Sequence, residues 1–438
     1  MQKRTPATDL QTSLRGIAER ARRDGKAQFR DLYRLLNEGN LRDCFYQLRK
    51  SAAPGVDHVT FGEYERDLDA NLADLVGRLV AKQYRAKLVR RKYIPKANGK
   101  RRPLGIPALE DKLLQLAVAR MLEAIYEQDF LDCSWGYRPK RGPREASRVL
   151  ANRLYRGSIG WVVEADIRGY FDNISHPWMI RMLQERIADG ALLHLIEKWL
   201  KAGVLEEDGT VMHPATGTPQ GGIVSPILAN IYLHYALDLW FERRVRKSAG
   251  GDVFMMRFAD DFVCAFQYRV DAMRFEKELR ERLGKFGLSV ADEKTRMLQF
   301  NRRVKEPNDS FEFLGFEFRW VTRRSGEAGV RRRTSPKRLH ASVRAFTEWI
   351  KKYRHTRLPM LMATLQSKFS GYWNYYGVRG NMEMLNRFHQ QCRKLLYKWL
   401  NRRSQKRSYT WEELTAMLEK FQIPSPRIVE TAYQPTFL

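Results

Sequence analysis

Two short apolar runs, residues 253–257 and 262–266, are interrupted by Phe258-Ala259-Asp260-Asp261. Runs of this length on either side of a short break read as an antiparallel hairpin, and this one carries two adjacent carboxylates at its turn. Upstream, Trp161-Val162-Val163-Glu164-Ala165-Asp166-Ile167 reads as a buried strand ending in a carboxylate. Acids in such places are costly to desolvate unless something positive is bound beside them. A divalent cation meets that need. Mg²⁺ prefers oxygen ligands and is usually held by one or two carboxylates plus substrate phosphates. Two such ions about 4 Å apart would clamp the attacking and leaving oxygens of an in-line phosphoryl displacement. By itself, however, Asp-Asp better suits plain decoration of a hairpin turn.

Composition narrows the partner. The 438 residues include 79 Lys and Arg against 50 Asp and Glu, a formal charge of +29, and 43% are hydrophobic. The charge therefore sits on packed cores, with two to three structural units expected. Such a surface attracts polyanions, of which nucleic acid is the commonest in a cell, with anionic membrane as the competing partner. No apolar run reaches the length of about 18 residues that a span needs. The most apolar stretch, Pro226 to Trp240, contains His234 and Asp238. The N-terminus lacks the apolar core of a signal peptide. Cys44, Cys133, Cys264 and Cys392 lie far apart, a spacing that suits neither zinc fingers nor a disulfide framework. The expected location is the reducing cytoplasm, in association with the nucleoid.

Along the chain, residues 1–49 read as basic helix and Pro54-Gly55-Val56-Asp57 as a turn, followed by a helix over 64–82. Residues 86–93 and 102–106 read as a basic hairpin closed by Lys96-Ala97-Asn98-Gly99-Lys100. A long amphipathic helix follows at 110–130, with Leu113, Ala117, Met121 and Ile125 near one face. Helices are predicted at 177–202, 226–246 and 270–286, and strands at 296–300 and 311–320. Beyond Trp320 the texture turns basic. Residues 322–357 hold twelve Lys or Arg and two acids, and 387–407 hold eight basic residues and no acid, within helical patterns rich in Trp and Tyr.

Three segments recur in a telling order: Asp166-Ile167-Arg168-Gly169-Tyr170-Phe171-Asp172-Asn173-Ile174, then Gly217-Thr218-Pro219-Gln220-Gly221-Gly222-Ile223-Val224-Ser225-Pro226, then Phe258-Ala259-Asp260-Asp261. Before them stand Ile94-Pro95-Lys96 and Arg102-Pro103-Leu104-Gly105-Ile106-Pro107. After them come Gly287-Leu288, Glu293-Lys294-Thr295 and Phe313-Leu314-Gly315-Phe316. The set resembles the successive palm motifs of bacterial group II intron reverse transcriptases, also called maturases. Pro54-Gly55-Val56-Asp57 matches their N-terminal extension. Gly371-Tyr372-Trp373-Asn374-Tyr375-Tyr376-Gly377 and the stretch from Trp399 to Ile428 resemble their thumb and C-terminal ending.

The resemblance implies an α+β, right-hand polymerase with fingers, a palm built on an antiparallel sheet, and a helical thumb. It divides the chain into an N-terminal helical extension (1–60), fingers and palm (61–322), and a basic helical thumb or maturase domain with its tail (323–438). Asp166 and Asp260 would hold two Mg²⁺ ions with the Ile167 carbonyl, and Asp261 would support them. Lys96 and Arg102 would hold the incoming triphosphate; an ordinary solvated basic hairpin is the plainer alternative. Phe171 would sit beneath the sugar and collide with a 2′-OH, or else serve as a core aromatic. Gln220 would line the nucleotide and template pocket. Lys294 would be a general acid for the departing pyrophosphate, or a surface lysine following Glu293. The implied partners are group II intron RNA, an RNA template with a DNA or RNA primer, and dNTPs, with no membrane.

The basic segments around Arg331, Arg332, Arg333, Arg402 and Arg403 are candidate RNA contacts, while Trp349, Phe369, Trp373, Tyr376 and Trp399 suit the core of a helical thumb. Phe258 stands where the family usually has Tyr, and His58 where it usually has Gly. With no Cys or His cluster near the end, a C-terminal DNA endonuclease module is not expected. Two other readings fit the same motifs: a domesticated reverse transcriptase serving defence or DNA repair, and an RNA-binding splicing factor only. The intact acids disfavour the last.

Overall fold

The structure, a computed structural model, describes residues 6–95, 101–218, 220–302, 310–323, 325–403 and 408–431. It opens with α1 (Pro6–Arg23) and α2 (Glu38–Gln47), the latter capped by the Asn37 side chain, which accepts from the Asn40 amide at 3.0 Å. A Thr60/Glu63 capping box starts α3 (Phe61–Arg66), and α4 (Leu68–Val80) follows. The single helix predicted over 64–82 is broken at Asp67. There the Asn71 side chain donates to the Tyr64 carbonyl at 3.1 Å and competes with the helical ladder. Strands β1 (Val89–Pro95) and β2 (Arg101–Ile106) form the expected antiparallel hairpin. Its tip, with Lys96, lies outside the described residues.

Next comes α5 (Leu109–Tyr126), which is more enclosed than an amphipathic pattern implies. Leu114, Val118 and Leu122 are as buried as Leu113, Ala117, Met121 and Ile125, because α1 and α2 cover the remaining face. Then α6 (Pro143–Arg156) leads into β3 (Trp161–Asp166). The helix predicted over 177–202 is two, α7 (His176–Gln184) and α8 (Gly190–Leu200), because Asp189 starts a new helix by accepting from the Leu192 amide at 3.1 Å. Short β4 (Val204–Leu205) and β5 (Val211–Met212) extend the hairpin into the sheet β2-β1-β4-β5. A long helical rod follows, from α9 (Ser225–Leu233) through π-helical turns at His234–Asp238 and Phe241–Val245 to α10 (Arg246–Ser248).

The apolar hairpin appears as β6 (Val253–Phe258) and β7 (Asp261–Phe266), followed by α11 (Arg269–Gly284) and β8 (Arg296–Gln299). With β3 they form an antiparallel sheet in the order β6-β7-β3-β8. A second antiparallel sheet contains β9 (Ser310–Phe313), β10 (Phe316–Thr322) and β11 (Ala328–Thr334). Here the expectation of one strand over 311–320, followed directly by a basic helical unit, is corrected. Leu314 (φ 52°) and Gly315 (φ 78°) reverse the chain, and β11 precedes the helices. The basic residues of β11 do not mark a surface helix. Arg332 is buried against Glu430 at 2.8 Å, Arg333 pairs with Glu317 at 2.6 Å and Arg331 with Glu383 at 3.2 Å.

The chain continues in α12 (Pro336–Tyr353), α13 (Leu358–Tyr376), α14 (Met382–Leu400) and α15 (Trp411–Lys420). Their core includes Phe346, Phe369, Trp373 and Phe388, with Trp349, Tyr376 and Trp399 packed at its edge, as the core reading of these aromatics expects. Among the described residues no helix is long and apolar enough to cross a membrane.

One buried node ties the β1–β2 region to the helices. The Asp111 carboxylate accepts from the Tyr84 hydroxyl and from the Lys87 amide at 3.2 Å, and Trp199 donates to Tyr84 at 2.9 Å. Burial pushes Asp111 from 3.8 up to about 6. Its charge therefore costs no stability below the unfolded value and the full amount above the folded one. Relative to the parent, Asp111→Asn should gain unfolding free energy as pH rises from about 4 to about 6, by up to about 3 kcal/mol, and then level off, as read by urea denaturation.

Candidate active site

The register of β3 against β7 sets Asp166 directly opposite Asp261, and the two-residue turn before β7 carries Asp260. The turn is tight, and Ala259 adopts a left-handed backbone at φ 58°, unusual for a residue with a Cβ. Arg257, the next-to-last residue of β6, explains how it is held. This fully buried guanidinium donates to the Ala259 carbonyl at 3.0 Å. It also grips both Asp238 oxygens at 2.7 and 2.5 Å, Asn230 at 3.0 Å and Ser134 at 2.7 Å. Asp238 ends a π-helical turn, so the local change of helical pitch presents its carboxylate to Arg257.

A second segment braces the turn. The Arg257 amide donates to the Cys133 carbonyl at 2.7 Å, and the Trp135 amide donates back to the Arg257 carbonyl at 2.8 Å. Gly136 then lies so close that a Cβ there would stand 2.3 Å from the Ala259 nitrogen, which no side chain tolerates. The Asn230 amide fixes the Gly136 carbonyl at 2.7 Å.

The acids open onto a cleft of about 1220 Å³ whose lining includes Arg102, Tyr137, Phe171, Gln220, Asp260 and Lys294, with Asp166, Ile167 and Asp261 on its floor. Asp261 is exposed to the cleft, although protein atoms crowd around its carboxyl. Burial first, and then the charges of Asp166, Asp260 and Glu164, push its carboxyl up to about 7. Asp260 is raised by the same causes, burial before the Asp166 charge, while Lys294 and Arg102 pull it down. Lys294 forms an ion pair with Asp166. Ile167 lies against Val290, Phe171 packs edge-on to Tyr170 at 5.4 Å, and the Gln220 carbonyl accepts from the Gly105 amide of β2. At Gly221 (φ 117°) a Cβ would stand 2.4 Å from the Gly105 carbonyl oxygen, so this loop is pressed onto the strand that carries Arg102.

Apart from Lys96, which lies outside the described residues, the sequence-predicted metal and nucleotide residues surround this one cleft. The five arginines proposed for RNA do not form one surface. Arg331, Arg332 and Arg333 are engaged with Glu383, Glu430 and Glu317, and Arg403 donates to the Thr356 carbonyl at 2.9 Å, whereas exposed Arg402 stands over Trp399.

Sequence reasoning missed Glu164, Tyr137, Lys337 and Arg338, which also line the cleft. Glu164 was legible, since it lies two residues before Asp166 on the same face of a strand. The Gly136-Tyr137 pair offered a weaker signal, a glycine beside an aromatic. Lys337 and Arg338 reach the cleft only through the packing of α12.

Among the described residues no three acidic, His or Cys side chains are gathered closely enough to hold a metal by themselves. The donor set still fits a hard dication that takes its remaining ligands from phosphates and water. Burial, and then the neighbouring carboxylates, make Asp260 and Asp261 resist ionising, and Asp166 is paired with Lys294, so a cation placed among the three would be favoured.

Asp238→Asn leaves Arg257 charged, buried and unpaired. It should cost about 3–5 kcal/mol in denaturant unfolding, whereas the paired replacement Asp238→Leu with Arg257→Met should recover most of that loss.

The profile of the family described as reverse transcriptase (RNA-dependent DNA polymerase) matches residues 94–318, the span that holds every cleft residue of the central sheet. Protein YkfC of Escherichia coli (strain K12) is 34% identical over 310 residues, covering 63% of this chain and 78% of that protein. The group II intron-encoded protein LtrA of Lactococcus lactis subsp. cremoris is 31% identical over 385 residues, covering 68% of this chain and 62% of LtrA. The mitochondrial nuclear intron maturase 4 of Arabidopsis thaliana is 26% identical over 130 residues, which cover 30% of this chain and 16% of that protein. With the family profile spanning more than half of its length and falling on the acidic cleft, the chain belongs to the reverse transcriptases, the RNA-dependent DNA polymerases.

Proposed function

We propose that the protein extends a primer 3′-OH with dNTPs on an RNA template and binds a group II intron RNA, assisting its splicing and mobility. The observation that carries the catalytic reading is the convergence of Asp166, Asp260 and Asp261 in one cleft beneath Arg102, Phe171 and Gln220. In this reading β1, β2 and the helices around them are the fingers, the β6-β7-β3-β8 sheet is the palm, and α12 to α15 are the thumb. The intron RNA is inferred from the intron-encoded relatives and from the +29 charge.

Asp166 and Asp260 would hold two Mg²⁺ ions with the Ile167 carbonyl, and Asp261 would support the pair. Bound there, the ions supply charge neutralisation at the attacking and leaving oxygens. The protein's own share is positioning and electrostatics, which dominate phosphoryl transfer. Arg102, joined by Lys96, suits the triphosphate: Arg gives paired contacts to phosphate oxygens and Lys a point charge. The Phe171 ring closes the space a 2′-OH would need. Lys294 exchanges its Asp166 partner for the departing pyrophosphate and gives it a proton.

Asp260→Ala should abolish dNTP incorporation on an RNA template while RNA affinity stays within about twofold. The same variant should still lower the Mg²⁺ needed for self-splicing of its cognate intron. Retained DNA synthesis would sink the site assignment, and an intron indifferent to the parent protein would leave a polymerase with another RNA partner. Phe171→Ala should relax sugar discrimination, measured as the ratio of dNTP to rNTP incorporation; an unchanged ratio would remove Phe171 from that role.

A further inference from the structure

Tyr137 lines the cleft and is left unused by the proposed mechanism. Its backbone is left-handed at φ 58°, a conformation costly for a large side chain, and the segment on either side enforces it. Gly136 is clamped between Ala259 and Asn230. Arg138 is pinned by Glu127 at 2.7 Å and by the carbonyls of Leu131 and Ser134 at 2.8 and 2.9 Å. The ring so held is not spent on the core, because Tyr137 remains 49% exposed and lines the cleft. Among the described residues its hydroxyl has no hydrogen-bond partner. Asp260 of the acidic turn and Arg102 of β2 line the same cleft; burial first, and then the Asp260 charge, raise the pKa of the hydroxyl, while Arg102 lowers it.

We infer that Tyr137 is a nucleotide-contacting residue whose hydroxyl donates to a phosphate oxygen of the incoming dNTP. The inference rests on the polymerase reading above. A neutral donor in a cleft that also presents the acidic turn and Arg102 suits the anionic oxygens of a triphosphate held there. Strain maintained by anchored neighbours is how a fold keeps such a group aimed.

The test is steady-state extension of oligo(dT) on poly(rA) with dTTP in Mg²⁺, alongside thermal unfolding. Tyr137→Phe should raise the KM for dTTP about tenfold, the loss of one hydrogen bond to a charged group, with kcat within about twofold and the unfolding midpoint unchanged. Tyr137→Gly, for which the left-handed backbone carries no strain, should raise KM at least as much. An unchanged KM for dTTP in Tyr137→Phe would overturn the inference. So would a shift confined to the KM for the primer–template, or a KM rise that tracks a fall in the midpoint of both variants. Failure of the parent protein to extend the primer would refute the polymerase reading, and this inference with it.

Discussion

The buried Arg257 guanidinium holds the acidic centre together. All five of its N–H donors are engaged: two on Asp238, one each on Asn230 and Ser134, and one on the Ala259 carbonyl. Those partners come from the helical rod, from the segment at 133–136 and from the turn itself. One side chain thus joins three pieces of chain that are remote in sequence. Lysine, with a compact ammonium, cannot divide itself among them. A buried ion pair is weak support for stability in general. Here its consequence is geometric, because it fixes the turn that aims Asp260.

Around that centre, charge is sorted more finely than the net value of +29 indicates. Many arginines are internal struts, such as Arg332 on Glu430, Arg138 on Glu127 and Arg186 on Asp129. The floor of the cleft concentrates carboxylates instead, and their mutual repulsion together with burial keeps Asp260 and Asp261 reluctant to ionise. A site in this state has a standing appetite for cations, and a dNTP brings both phosphate ligands and its own metal. Arg102 and Lys294 provide part of the compensation from the protein side.

Much of this was legible before any coordinates. The apolar runs bounding Asp260 and Asp261 can only be buried as a hairpin, and strand periodicity carries Glu164 and Asp166 to one face. The resemblance of the remaining motifs to those of group II intron reverse transcriptases pointed to Arg102, Phe171, Gln220 and Lys294. Helix interruptions were less readable, because Asn71 and Asp189 act through single side-chain hydrogen bonds that an apolar pattern does not register. The basic strand β11 was misread for a related reason: its arginines are neutralised by Glu317, Glu383 and Glu430, and for Arg331 and Arg332 the partner lies about 50 or more residues further on.

The sequence by itself determined the chemistry, since residue types and their local spacing carry the demand for a cation and for a phosphate-binding partner. The tertiary structure alone decided how that chemistry is aimed. The pairing of Arg257 with Asp238, the glycine contact that braces Ala259, the strained Tyr137 and the arrival of α12 at the cleft all depend on contacts between distant segments. Burial and close packing set those contacts, and neither is written in any one stretch of chain.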